Sequence, residues 1–150
     1  MKFLIFVECV NMNWEANNMT DKLIFFVDDE PMFINLVEYT FKGKNGYRLK
    51  TFKSCEECIK SMDMNPDLVI VDFFLQGVDS QMTGLDVLRK IQKTNPTTPV
   101  VFLSGNDDIS AINEAKAVGA KKYILKNGYF INNLIECVSE ILNDNTLLPI

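Results

Sequence analysis

From Asp21 onward, short unbroken apolar runs alternate with stretches whose apolar residues recur at three- and four-residue steps. Leu23–Val27 is apolar at every position, the pattern of a parallel strand covered on both faces. Pro31 stands where a first helical turn tolerates it, and Phe33, Leu36, Val37 and Phe41 mark one helix face that Gly43 ends. Tyr47–Phe52 predicts a second strand, and Ser54 caps a helix running to about Met62. Asn65-Pro66 punctuates before Leu68–Val71, a third strand that ends at Asp72. Thr83 with Asp86 three residues later forms an acidic variant of a capping box, opening a helix that carries Leu85, Leu88 and Ile91. Pro96 and Pro99 bracket the return into Val100–Leu103, which ends at Ser104. Asp107 or Asp108 caps the next helix, with Ile109, Ile112 and Ala115 on one face and Gly119 as its stop. Tyr123–Leu125 is the last strand, and Ile131, Leu134, Ile135, Val138 and Ile141 give a final amphipathic helix.

Strand–helix alternation with short connections predicts an α/β, doubly wound fold: a parallel sheet with helices on both faces. Ligands in such sheets bind beyond the carboxyl ends of the strands. The residues at those ends are Asp28 and Asp29, Asp72, Ser104 and Lys126, each polar directly after an apolar run. Three carboxylates at one rim repel one another unless a cation sits among them, and an oxygen-only donor set suits Mg²⁺ (or Mn²⁺). A carboxylate is also a competent nucleophile toward phosphorus, and a metal neutralises charge on the phosphoryl group it attacks. Lys126 adds a fixed positive charge, the Ser104 hydroxyl can bond a phosphoryl oxygen, and Gly105 leaves room for that oxygen to approach.

The run Phe26-Val27-Asp28-Asp29-Glu30, the strand-end Asp72, Ser104-Gly105, Tyr123 and Lys126 together resemble the receiver domain of two-component response regulators, over about residues 21–142. The resemblance implies a flavodoxin-like (βα)5 sandwich of strand order 2-1-3-4-5. It implies Asp72 as phosphoacceptor, with Asp29 and Asp72 ligating Mg²⁺ directly, Asp28 acting through water, and the Phe74 backbone carbonyl as a further ligand. Ser104 then swings toward the phosphoryl group, Tyr123 follows as a switch ring, and Lys126 bridges to the phosphate. Phe74 and Asn106 occupy the positions that tune phosphate lifetime in this family. The implied donor is a histidine kinase or histidine phosphotransfer protein. The implied output is a protein target met through the fourth helix, fifth strand and fifth helix, the face through which family members also pair as weak homodimers. A cytoplasmic regulator that catalyses only its own phosphorylation and dephosphorylation is expected, with no direct DNA binding and no membrane association.

Two departures bear on this. Leu75-Gln76 replaces the family's Met-Pro pair, and Gly84 falls twelve residues after Asp72, later than the family's glycine, so the loop Gln76–Thr83 reads as lengthened. Asn127 follows Lys126 where many members have a cis proline; a cis bond before a non-proline residue costs about 3 kcal/mol, so a trans bond or a rearranged loop is expected. A degenerate, unphosphorylated interaction module is the alternative these departures keep alive. An unrelated flavodoxin-like binder or phosphatase is weaker, since no Gly-rich nucleotide loop is present.

Composition narrows the chemistry further. The chain has no histidine, which removes Ser–His–Asp and Cys–His nucleophiles, His-ligated zinc and a phosphohistidine of its own. A net charge of −5 argues against a general nucleic-acid binder. Cys9, Cys55, Cys58 and Cys137 make a poor disulfide framework for 150 residues, so reduced thiols are expected. Cys55-Glu-Glu-Cys58 is a CxxC at a helix start, but its intervening acids oppose a thiolate. Simpler readings exist for these site residues: Asp28-Asp29 as helix caps, Asp72 as an ordinary loop acid, Ser104 as a strand terminus, Lys126 as solvated, Tyr123 as a core aromatic.

Residues 1–20 read as an extension outside the core, with Met19 before the first convincing strand; Phe3–Val7 faintly resembles a secretion signal, spoiled by Glu8 and Glu15. Residues 143–150 read as a tail, and the chain reads as stand-alone, with no output domain. Deleting residues 1–18 is expected to leave phosphorylation of Asp72 intact, as intact-mass measurement of the truncated chain would report.

Overall fold

The computed structural model describes residues 21–75 and 82–142. The elements are β1 (Lys22–Val27), α1 (Pro31–Phe41), β2 (Tyr47–Phe52), α2 (Cys55–Lys60), a 3₁₀ turn (Met62–Met64), β3 (Leu68–Asp72), α3 (Gly84–Thr94), β4 (Val100–Ser104), α4 (Ile109–Val118), β5 (Lys122–Leu125) and α5 (Phe130–Leu142). The five strands form one sheet in the order β2-β1-β3-β4-β5, and every neighbouring pair is parallel. The extension at 1–20, the tail at 143–150 and residues 76–81 of the lengthened loop lie outside the described residues.

Strand alternation divides the core in two. Phe25 and Val27 of β1 join Val69, Val71 and Phe102 beneath α2, α3 and α4. Ile24 and Phe26 join Ile70, Val101 and Leu103 beneath α1 and α5. β3 and β4 are buried along their whole lengths because helices cover both faces, which explains their unbroken apolar runs. Among the described residues no helix is long and apolar enough to cross a membrane.

Local chemistry sets the helix ends. Pro31 opens α1. Ser54 accepts from the Glu57 N–H at 3.2 Å. At α3 the Thr83 N–H donates to Asp86 at 2.9 Å while the Asp86 N–H donates to the Thr83 hydroxyl at 3.3 Å, completing the box. Asp108, rather than Asp107, caps α4 through the Ser110 N–H. Gly119 stops α4 at a φ of 113°, a left-handed conformation that glycine adopts without steric cost.

Three details correct the reading from periodicity. In α1 the inward face is Ile34, Val37 and Phe41, and Leu36 is exposed. In α4 the inward residues are Ala111 and Ala115, one turn apart, whereas Ile109 is 73% exposed. Ile109 is the first helical residue, where the helix has no preceding turn to shelter it. The helix expected to reach Met62 stops at Lys60 and continues as the 3₁₀ turn, which Asn65 closes at a φ of 53°. Asn tolerates that left-handed conformation better than most residues.

Parallel register brings the strand ends to one rim: Asp72 lies opposite Leu103, and Ser104 opposite Leu125. Gly84 presses α3 against this rim. A Cβ there would stand 3.0 Å from the Asp72 carbonyl oxygen, 3.1 Å from the Phe102 ring and 3.2 Å from the Phe73 Cα. Two of those atoms are backbone and cannot turn aside. Gly84→Ala should therefore destabilise by about 1–3 kcal/mol, the scale of overpacking, as urea unfolding would measure.

Candidate functional site

β1 delivers Asp28 fully buried, its own N–H bonded to the Phe52 carbonyl at 3.1 Å. One carboxylate oxygen, Oδ1, accepts from the Glu30 N–H at 2.9 Å. β3 ends in Asp72, 7% exposed, whose Oδ1 accepts from the Phe74 N–H at 3.0 Å. Lys126 is set in register with the rim by its N–H, which donates to the Ser104 carbonyl at 2.8 Å. Its ammonium lies 2.7 Å from Asp28 Oδ2 and 3.0 Å from Asp72 Oδ2, with the side chain only 4% exposed. Glu30 Oε1 stands 3.4 Å from the same nitrogen. Asp29 is exposed beside them, and ligand atoms of Asp28, Asp29, Glu30 and Asp72 all fall within 4.8 Å of one another.

Burial is the largest single influence on both Asp28 and Lys126, but it decides the outcome only for Asp28. It raises the Asp28 carboxyl above its ordinary value, outweighing the lowering by Lys126 and the Glu30 N–H. For Lys126 burial alone would lower the ammonium, but bonds to Asp28 and Asp72 prevail and hold it above its ordinary value. The acids fit a hard divalent cation by donor type: all are carboxylate oxygens, and buried Asp28 Oδ2 has only its ionic contact with Lys126, without a well-angled hydrogen bond.

The phosphoryl-binding candidates lie on the next strands. Ser104 is fully buried, and its Oγ accepts from the Asn106 N–H at 3.0 Å. The Tyr123 hydroxyl donates to the Asn106 carbonyl at 3.2 Å, and burial raises that phenol. One peptide segment at Asn106 therefore touches both. The Phe73 ring, directly after Asp72, packs at 5.2 Å from Phe102 and 5.7 Å from Tyr123. Phe74 and Asn106 are both exposed beside the rim. At Gly105 an added Cβ meets nothing within 4 Å, so the open space there does not depend on glycine.

Asp28, Asp29, Asp72 and Lys126 thus lie together at one rim, while Ser104 ends the neighbouring strand and its recorded side-chain hydrogen bond is with Asn106. The Lys126–Asn127 peptide is trans. Asn127 takes over the loop in place of a proline: its side chain accepts from the Tyr129 N–H at 2.9 Å and its carbonyl from the Phe130 N–H at 3.1 Å, turning the chain into α5. Sequence reasoning missed two participants. Glu30 was part of the acidic run but not singled out, and Phe33, read as core, has its ring centroid 4.0 Å from the Lys126 ammonium. A cavity of about 400 Å³ bounded by Met62, Asp63, Lys90 and Lys93 lies where the chain enters β3 and β4, at the opposite end of the sheet.

Residues 24–138 match the family model described as Response regulator receiver domain. The chain is 34% identical over 104 residues to a putative response regulator NtrX-like of Rickettsia felis, covering 69% of this chain and 21% of that protein. It is 30% identical over 104 residues to the transcriptional regulatory protein TrcR of Mycobacterium tuberculosis, covering 69% of this chain and 38% of that protein. The chain therefore spans well under half the length of these curated relatives. The crystal structure of the signal receiver domain of a putative Luxo repressor protein from Vibrio parahaemolyticus superposes with a TM-score of 0.74, covering 85% of this chain and 94% of that one. At 20% identity that likeness establishes the fold.

Cys55 and Cys58 are the buried residues of α2, and burial, with neighbouring acid charge at Cys55, pushes both thiols up to about 12; Cys137 is pushed up to about 11. Such thiols are protonated and inert, which disfavours the redox reading of the CxxC pair. At pH 8 these three positions should resist iodoacetamide in the native protein and react after urea unfolding, as peptide mass mapping would show. Raised folded values favour the protonated thiols, so their contribution to stability is full below the ordinary 9.0 and is lost as pH rises through about 11 to 12.

Proposed function

The chain belongs to the response regulator receiver domain family, and from that premise we propose that Asp72 accepts a phosphoryl group from a partner's phosphohistidine. The observation that carries this reading is the Lys126 ammonium, almost without solvent, joined at 2.7 and 3.0 Å to the buried Asp28 and Asp72. A cation fixed on the nucleophile's own oxygen stands where negative charge gathers during transfer. The donor histidine belongs to a histidine kinase or histidine phosphotransfer protein, because this chain has none.

In the transfer, an Asp72 carboxylate oxygen forms a bond to phosphorus while the donor's P–N bond breaks, its electron pair leaving on the imidazole nitrogen. Asp28, Asp29 and Asp72, with the Phe74 carbonyl, would hold Mg²⁺ (or Mn²⁺), Asp28 through water. When bound, the ion supplies positive charge that offsets the phosphoryl and carboxylate oxygens. Lys126 stays on the rim and bonds the phosphoryl oxygens. The Ser104 hydroxyl donates to another of them across the open space beside Gly105.

Output follows from the segment that Ser104 and Tyr123 share. A Ser104 side chain drawn toward the phosphoryl group releases the Asn106 N–H, now 3.0 Å from its Oγ. The Asn106 carbonyl is the acceptor of the Tyr123 hydroxyl, so the ring's anchor moves with it. Phosphorylation thereby biases the face of α4, β5 and α5, which a downstream protein reads. Phe74 and Asn106, exposed beside Asp72 and Ser104, set how readily water reaches the acyl phosphate. DNA contact is not assigned to this acidic module.

Incubation with Mg²⁺ and acetyl phosphate should add the mass of one phosphoryl group. Asp72→Ala or chelation of the metal should abolish the gain, and Lys126→Met should slow it roughly a hundredfold, the scale of removing one preorganised charge stabiliser. Equal labelling of Asp72→Ala, or no labelling of the wild type, contradicts the reading and favours an unphosphorylated interaction module.

A further inference from the structure

Lys126 is surrounded by more than acids. Its nitrogen, besides the carboxylates of Asp28, Asp72 and Glu30, lies 4.0 Å from the centroid of the Phe33 ring. With the lysine side chain 4% exposed, water has little access to the ammonium, and an aromatic face at this distance attracts a cation most strongly when the cation is desolvated. Phe33 is itself held in place. Its N–H donates to the Glu30 carbonyl at 3.1 Å, and its ring meets the buried Phe130 ring edge-on, 5.6 Å between centroids and 88° between planes. Phe130 is the first residue of α5. The ring is thus pinned between α1 and α5 while its π system faces the ammonium.

We propose that Phe33 is a positioning residue, whose ring holds the Lys126 ammonium on Asp72 by a cation–π contact and ties that placement to the start of α5. The proposal rests on the phosphoryl-binding role given to Lys126 above. The plain alternative is that Phe33 only fills the core between α1 and α5, since it packs against that cluster. The two differ in what the ring must be. A space-filler needs volume and apolarity, whereas a cation–π partner needs an electron-rich face. Leucine and a fluorinated phenylalanine keep apolarity but not the face, and tyrosine keeps both the ring and its face.

Replacing Phe33 by pentafluorophenylalanine preserves shape and reverses the ring's quadrupole. In Mg²⁺, beryllofluoride binding to the full chain should weaken by roughly three- to thirtyfold, the span of a desolvated cation–π contact, graded with the number of ring fluorines. Phe33→Tyr should retain wild-type affinity. A second readout needs neither metal nor phosphoryl mimic: in the NMR spectrum the Lys126 ε-methylene protons should be shifted upfield by the ring current and return to ordinary values in Phe33→Leu. Wild-type affinity in the pentafluoro chain, or unshifted Lys126 ε protons in the wild type, overturns the proposal. Failure of the wild type to bind beryllofluoride overturns the phosphoacceptor reading and the positioning role together, while the ring-current shift separately reports whether the contact exists.

Discussion

A lysine ammonium and two carboxylates, all withdrawn from water, impose the condition on which the rest of this structure depends. Neither Asp28 nor Asp72 is readily buried as an unpaired charge, and Lys126 is no easier. Placed 2.7 and 3.0 Å apart across three strands, each makes the others tolerable. The cost of getting that geometry wrong is large, because a buried charge that loses its partner has no solvent to fall back on. The fold therefore has to present three strand ends at one level, and the parallel register does so, with Lys126 anchored by its own N–H to the Ser104 carbonyl.

The same condition explains features that look incidental. Asp72 is backed by α3, whose first residue, Gly84, lies so close to the Asp72 carbonyl, the Phe73 Cα and the Phe102 ring that a Cβ there would crowd all three. Lys126 is followed by a turn built from the Asn127 side chain and carbonyl, so the loss of a proline is met by different local chemistry. Ser104 and Tyr123 bond opposite ends of the Asn106 peptide segment, one facing the rim and the other the surface of β5. On the function proposed above, a change in charge at Asp72 would reach an exposed face through these two hydrogen bonds rather than through a rearranged core.

Much of this was legible in the sequence, for identifiable reasons. Strands covered on both faces are apolar along their runs, so the polar residues ending β1, β3 and β4 stood out at Asp28, Asp72 and Ser104, whereas Lys126 follows only a short run on the partly buried edge strand β5. Helix caps at Ser54, Thr83 and Asp108 use short-range bonds that sequence spacing encodes. Strand order does not follow from periodicity and came from family resemblance. Helix faces were read less well: Leu36 and Ile109 fit a three-and-four spacing yet point outward, because the actual contact is made by Ile34 in one case and by small alanines in the other. Glu30 and Phe33 escaped notice because their partner Lys126 is more than ninety positions away, and only the closed sheet brings them together.

The central claim is that Asp72 is the residue that carries the phosphoryl group. An acyl phosphate on a carboxylate can be trapped by borohydride, which reduces the labelled side chain to an alcohol and leaves free carboxylates unchanged. After reaction with a small phosphodonor and Mg²⁺, reduction and peptide mass mapping should find homoserine at position 72. Homoserine at another aspartate, the longer alcohol at a glutamate, or no reduced residue at all would contradict it.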